Sequence, residues 1–257
     1  MEKYIIGAIV LLESVRGSNA NNTINDIDVC TAVVCHKSVN MGMRSFLQRL
    51  GHDVIVFEDV HIDEKSVPSN HFKLLIQKYI VFDLMQYEKA LFMDSDAFIL
   101  RPENLKNIFD MLDDEKTYDK PVDHKHYIMK QINAYNGPEE ISRAHDSNAT
   151  NILRKRRKVF MAPDLGRDSF NSGIILYRPQ PSMFKDFWLF LKETILPKKD
   201  EHRKQLVWST QRLLQEFLLM PTTTYSLYNF CPKSKPSHCS RLGCDCGIHI
   251  YPQTLDC

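Results

Sequence analysis

Two aspartates stand two residues apart in the segment Asp94-Ser95-Asp96, directly after the apolar run Ala90–Met93. An extended backbone turns side chains at this spacing toward the same side, so both carboxylates could share one hard divalent cation, Mn²⁺ or Mg²⁺. Such a cation would neutralise a diphosphate leaving group. The same spacing recurs in Asp26-Ile27-Asp28, but these acids precede an apolar run and are typical of a turn or cap. The sequence therefore predicts a metal site at Asp94 and Asp96.

The elements before this pair must place it at the end of a strand. Apolar runs over Val29–Cys35 and Val54–Phe57 flank a helix-like stretch over Met41–Leu50. Strand, helix and strand in this order indicate a parallel α/β unit. Ala90–Met93 reads as a further buried strand, because strands buried on both faces show continuous apolar runs. Ligands of α/β proteins collect at the carboxyl ends of such strands, which is where the aspartate pair stands.

Periodicity predicts further elements along the rest of the chain. Helices are expected over Phe72–Met85, about Pro181–Ile195 and about Val207–Leu219, with a strand over Gly173–Tyr177. No internal repeat or linker divides the chain, so we predict a single domain over residues 1–257.

Two regions depart from this pattern. Residues 113–158 are charged, His-rich and weakly periodic, which predicts an insertion or mobile loop. Its basic run at 154–158 is typical of a solvated face, and contact with a phosphate or a partner is the alternative. Five of the seven cysteines crowd into residues 231–257, where disulfides, free thiols and a metal site are all open readings.

The charge balance limits the class of partner. Lys plus Arg number 33 against 32 for Asp plus Glu, which disfavours nucleic acid or a membrane surface and favours a small polar substrate. The apolar stretch Ile5–Leu12 is too short to span a bilayer and lacks a cleavage-site pattern. Localisation stays open: the cysteine-rich tail and two glycosylation sequons favour a Golgi lumen, and the lack of a signal favours the cytoplasm.

Two segments together resemble a known family. Tyr87–Asp96 is similar to the metal-binding DxD segment of glycosyltransferase family 8, the glycogenin-like enzymes of GT-A fold. Phe170–Ile174 followed by Tyr177-Arg178-Pro179 resembles the second strand motif of that family, and Ala162-Pro163-Asp164 resembles its approach. The resemblance covers roughly residues 4–230. It implies a Rossmann-like, mixed and mainly parallel sheet flanked by helices.

The resemblance also implies an activity, namely retaining transfer of a hexosyl group from a UDP-sugar to a hydroxyl of a glycan or protein. Mn²⁺ or Mg²⁺ would be the cofactor. Carried over by position, Lys78, Gln211 and Asp164 would act at the reacting groups, and His249 would complete the metal shell. Donor contacts would come from Tyr4, which would stack on uracil, and from Lys78, Ser95, Asn171, Ser172 and Gly173.

For several of these residues an ordinary structural role is the alternative. Lys78 could be an exposed helix lysine, and Gln211 could be a surface residue of its helix. Asn171 could cap a turn, and Asp164 could be an N-cap or loop acid.

Three departures from the family pattern favour a second hypothesis. The strand expected before the helix Tyr4–Leu11 is missing, which should leave an apolar groove and weaken nucleotide binding. Thr210 stands where the family commonly has an acid, and no Gly and Lys follow His249. The alternative is therefore a catalytically inactive, glycosyltransferase-like binding domain. A metal-dependent nucleotidyltransferase or hydrolase is a third possibility, which the segment Phe170–Gly173 argues against.

Overall fold

The computed structural model describes residues 2–16, 23–24, 27–58, 76–99, 104–114, 157–163, 170–196, 210–220, 224–230 and 248–250. The helices are α1 (Glu2–Arg16), α2 (Met41–Arg49), a 3-10 helix (Lys78–Asp83), α3 (Leu105–Asp110), α4 (Met183–Phe190) with a π-helical turn (Leu191–Ile195), and α5 (Thr210–Leu219). The strands are β1 (Thr23–Ile24), β2 (Ile27–Asp28), β3 (Ala32–His36), β4 (Asp53–Phe57), β5 (Ala90–Met93), β6 (Ala97–Ile99), β7 (Arg157–Pro163), β8 (Phe170–Tyr177), β9 (Tyr225–Asn229) and β10 (Ile248–Ile250). Most of the predicted insertion and of the cysteine-rich tail lies outside the described residues.

The largest sheet has four strands in the order β5-β8-β7-β9. Strand β8 runs antiparallel to both β5 and β7, and β7 runs parallel to β9. Strands β3 and β4 form a separate parallel pair. The predicted fold class, an α/β fold with a mixed sheet flanked by helices, is confirmed. The four-stranded sheet holds more antiparallel pairing than the apolar runs indicated, because such runs report burial on both faces and not strand direction.

Alternating side chains of β8 enter two different hydrophobic clusters. Ile175 and Tyr177 pack on one face with side chains from the 3-10 helix, α4 and α5. Ile174 and Leu176 pack on the other face with side chains from α1 and α3. Helices therefore cover both faces of the sheet, and β8 lies in the interior.

The predicted strand-helix-strand unit is present as β3, α2 and β4. The side chain of Asn40 caps α2 by accepting a hydrogen bond from the Met43 N–H at 2.8 Å. At the other end, Gly51 has a φ of 83°, a conformation that glycine adopts without steric cost. The N–H of Gly51 donates to the Gln48 carbonyl and that of His52 to the Leu47 carbonyl, which is the Schellman arrangement. This turn sends the chain directly into β4.

The helix predicted over Phe72–Met85 differs from the observed structure. Residues 72–75 lie outside the described part of the chain, and a 3-10 helix covers Lys78–Asp83 and ends at Leu84. Aromatic and β-branched residues fill Tyr79–Phe82, and their poor helix propensity explains the 3-10 geometry of Lys78–Asp83. Tyr79, Val81 and Phe82 are buried in this short helix, so tertiary packing holds it in place.

The amino-terminal apolar stretch forms helix α1, as the sequence predicted. It has 15 residues, and its Leu11 packs in the cluster on the α3 side of the sheet. No helix in the described ranges is both long and apolar enough to cross a membrane.

We predict that Phe187→Ala will lower the free energy of unfolding by about 3–5 kcal/mol, because it leaves a cavity in a closely packed aromatic cluster. Phe187 is 0% exposed, and its ring centroid lies 5.0 Å from Tyr79 and 5.5 Å from Phe217. Urea unfolding measures the change. Leu189→Ala on the same helix is the control, since that side chain is 39% exposed and should cost far less. Equal losses in both variants would contradict the assigned core.

Candidate functional site

The aspartate pair lies on a tight turn between β5 and β6. The Asp94 N–H donates to the Gly173 carbonyl at 2.8 Å, which continues the β5–β8 ladder one residue beyond the end of β5. The Asp94 carbonyl then accepts from the Ala97 N–H at 3.0 Å and closes the turn. The two acids are therefore brought together by a turn, and not by the extended backbone that the spacing predicted. Asp94, Ser95 and Asp96 are all half-buried, so their side chains stay accessible.

Strand β8 bulges where it faces this turn. Met161 of β7 pairs with Ile175, and the next residue, Ala162, pairs with Asn171. The intervening residues of β8, Ser172–Ile174, therefore have no partner in β7. Bulges bend a strand and re-aim its side chains, and they are common beside active sites. Here the bulge lies directly opposite Asp94 on the neighbouring strand.

Gly173 lets the Asp94 carboxylate approach the backbone of β8. A Cβ at position 173 would lie 2.8 Å from Asn171 Oδ1 and 3.0 Å from Asp94 Oδ2, which is closer than real Cβ contacts. Asn171 Oδ1 accepts a hydrogen bond from the Gly173 N–H at 2.6 Å and so fixes the bulge locally. The turn-capping alternative for Asn171 therefore has direct support, although its position also places it beside Asp94.

Lys78, the first residue of the 3-10 helix, contacts this turn and the facing strand β8. Its Nζ lies 3.4 Å from Asp94 Oδ1, 3.3 Å from Asp94 Oδ2 and 3.2 Å from Ser172 Oγ. The side chain is 19% exposed, and the ammonium lies 5.5 and 5.7 Å from the ring centroids of Tyr79 and Phe92. These contacts rule out the alternative of an exposed helix lysine.

The 3-10 helix that carries Lys78 is fastened to β8. The buried Tyr177 hydroxyl donates to the Val81 carbonyl at 2.7 Å. The Gln180 N–H, just beyond β8, donates to the Phe82 carbonyl at 3.1 Å. Both bonds fix the helix that presents the ammonium. No local sequence pattern predicts these bonds, because the partners are distant along the chain.

The charges of the site act on the Asp94 carboxyl. Burial raises the pKa of Asp94 above its ordinary value, the Lys78 ammonium lowers it, and the Asp96 carboxylate raises it again. The net direction is upward. Lys78 is thus the group that favours the anionic form of Asp94.

Helix α5 approaches the start of β8. The Gln215 side chain is fully buried, and its Nε2 donates to the Phe170 carbonyl at 2.5 Å. Gln211 lies one turn earlier on the same side of the helix and is half-buried. Gln215 was not among the predicted site residues; its sequence signal is a glutamine flanked by the apolar residues Leu213, Leu214 and Phe217 of the same helix.

Three predicted residues are placed only in part or not at all. His249 lies on β10, which pairs with β6 so that His249 is opposite Phe98, two residues after Asp96. Its side chain is not among the described features, and the same holds for Tyr4 in helix α1. Asp164 lies outside the described residues.

The acids present suit Mn²⁺ or Mg²⁺ only together with a substrate. Among the described residues, no group of three or more His, Cys, Asp or Glu side chains could hold a metal ion. Magnesium-like ions are usually bound by one or two carboxylates together with water and substrate phosphates. Asp94 and Asp96 would supply the carboxylates, and a diphosphate would supply the phosphate oxygens. The residues therefore fit a metal that binds with its substrate better than a permanently bound ion.

An apolar cavity of about 380 Å³ adjoins the turn. Its walls come from α1, β3 and β5, and Lys78, Asp94 and Ser95 stand among its lining residues. Within the described residues, β3 pairs only with β4 and β5 only with β8, so both strands turn an unpaired edge toward this region. The apolar groove predicted from the sequence is present.

Comparisons with known proteins identify no family. No protein-family model matches the chain, and no curated protein matches it. The chain is similar to the crystal structure of a glycosyltransferase involved in the glycosylation of the major capsid of PBCV-1, at 11% sequence identity. The match covers 78% of this chain and 82% of that chain, with a TM-score of 0.32. A likeness of this size does not assign a function.

We predict that Gly173→Ala will weaken Mn²⁺ binding by roughly 10- to 100-fold, because the new methyl group displaces the Asp94 carboxylate. The unfolding free energy should change little, since the groups that must move are the ends of two side chains. Isothermal titration calorimetry and urea unfolding measure the two effects. Gly42→Ala is the control, because its nearest contact would be an ordinary 3.4 Å to Asn40 Oδ1. Unchanged Mn²⁺ affinity in Gly173→Ala would contradict a metal site at Asp94.

Proposed function

We propose that this protein is a metal-dependent glycosyltransferase that moves a hexosyl group from a UDP-sugar to a hydroxyl of a glycan or protein. One observation carries the proposal: the Lys78 ammonium, the Asp94 carboxylate and the Ser172 hydroxyl meet within 3.2–3.4 Å beside the bulge of β8. A carboxylate pair beside a fixed cation suits a diphosphate that binds together with a divalent metal. Retention of configuration and the choice of UDP rest on the family resemblance of the sequence.

The leaving group determines what the site must do. Mn²⁺ or Mg²⁺ held by Asp94 and Asp96, with His249 as a third ligand, would supply positive charge to the diphosphate. Lys78 would supply a second positive charge to the same oxygens as the bond to the sugar breaks. Because Lys78 is mostly buried between Tyr79 and Phe92, its charge is screened less than that of a surface lysine.

Other residues would bind and orient the donor. Ser95, Asn171, Ser172 and Gly173 line the bulge and its facing turn, where backbone and side-chain groups can contact the diphosphate and sugar. Gln211 and Asp164 would lie near the reacting carbon of the sugar. Tyr4 would stack on the uracil from helix α1, and the apolar cavity beneath that helix would exclude water from the base.

A binding domain without transfer activity is the second candidate. The apolar cavity favours it, since among the described residues β3 pairs only with β4 and β5 only with β8, which leaves apolar surface beside the two strands. This candidate, a domain that binds a partner or a glycan, predicts that no UDP is released from a UDP-sugar. Activity measured on the same purified protein therefore separates the two.

We expect UDP to bind in the presence of Mn²⁺, and we expect the double variant Asp94→Asn, Asp96→Asn to weaken that binding by roughly 100-fold or more. Isothermal titration calorimetry measures the affinity, and release of UDP from a panel of UDP-sugars measures transfer. Asp110→Asn is the matched control, because Asp110 is 53% exposed on helix α3 and pairs with Lys106. A folded wild-type protein that binds no UDP with Mn²⁺ would contradict the transferase and favour the binding domain.

A further inference from the structure

We propose that Lys78 occupies the cation position at Asp94 until a divalent metal displaces it, so that metal and diphosphate bind cooperatively. This inference rests on the proposed function and concerns the same site. The Lys78 Nζ is nearly equidistant from the two carboxylate oxygens of Asp94, at 3.4 and 3.3 Å. A metal ion bound by Asp94 would need the same oxygen lone pairs.

Ammonium and metal cannot share this carboxylate at close range. A divalent ion binds carboxylate oxygens at about 2.0–2.2 Å, which would bring it next to an ammonium only 3.3 Å from the same oxygen. Repulsion between like charges is strong where water is partly excluded. Metal binding must therefore move the Lys78 ammonium away from Asp94.

The displaced ammonium loses its acidic partner. Among the described residues, its remaining neighbours are the Ser172 hydroxyl at 3.2 Å and the rings of Tyr79 and Phe92. A partly buried charge without a counter-charge is costly. The oxygens of a diphosphate bound to the same metal would replace the lost carboxylate, so the metal alone binds weakly and the metal with a diphosphate binds well.

Such coupling is reciprocal, because any factor by which UDP raises the affinity for metal must equal the factor by which metal raises the affinity for UDP. Lys78 thus acts as a gate on metal binding as well as a diphosphate contact. Removing its charge should have opposite effects on the two ligands.

The test compares the wild type with Lys78→Met, whose side chain keeps the apolar stem between the two rings. Titration of Mn²⁺ alone should show a gain in affinity of about 10-fold in Lys78→Met, and the coupling between Mn²⁺ and UDP should fall below its wild-type value of roughly 5- to 150-fold. Lys106→Met is the control, because Lys106 is paired with a different acid, Asp110 on α3, and should leave both quantities unchanged. Circular dichroism checks folding, and Lys78→Gln replaces Lys78→Met if the latter does not fold.

Adding Asp94→Asn to Lys78→Met tests whether the gain in Mn²⁺ affinity arises at Asp94. We expect the double variant to lose this gain. Equal or weaker Mn²⁺ affinity in Lys78→Met would overturn the gate, even when the wild type binds UDP with Mn²⁺ and the proposed function stands. Conversely, a gain for Mn²⁺ in Lys78→Met, together with a wild type that never binds UDP, would support displacement of Lys78 by the metal and overturn the proposed function. Lack of Mn²⁺ binding by every variant would overturn both.

Discussion

The side chains of β8 alternate between two hydrophobic clusters, so this strand cannot slide along its neighbours without exposing one cluster and disrupting the other. The fixed position of β8 determines the position of the candidate site through two connections. The β5–β8 ladder places Asp94 opposite Gly173, and the bond from the Tyr177 hydroxyl holds the helix that carries Lys78. Lys78 and Asp94 meet because both are attached to the same buried strand.

Charged groups at the edge of a dry core are stable only while they are paired. The Asp94 side chain is 38% exposed and that of Lys78 is 19% exposed, so water solvates each group only in part. Each charge therefore depends on the other in the protein without ligand. Because the two charges depend on each other, a ligand that brings new charges can separate the Lys78 ammonium from the Asp94 carboxylate at a moderate cost in free energy.

Local patterns predicted the elements of this fold better than the contacts between them. The helix predicted over Met41–Leu50 is present over Met41–Arg49, and an apolar run correctly indicated the strand Ala90–Met93. Strand direction could not be predicted in this way, because a strand buried on both faces looks the same in either direction. The site depends on pairs such as Lys78 and Ser172, which lie 94 positions apart, and no local pattern encodes such a contact. Gln215 escaped for the same reason, since its partner lies at the start of β8.

In the bulged part of β8, from Asn171 to Ile175, the number of residues is as important as their chemistry. Three residues separate Asn171 from Ile175, while their partners in β7 are consecutive. Deleting or inserting a single residue between them would exchange inward and outward positions along part of the strand. Residues of the two hydrophobic clusters would then point to the wrong helices. The length of the segment is therefore constrained by the core of the protein, separately from the identity of its side chains.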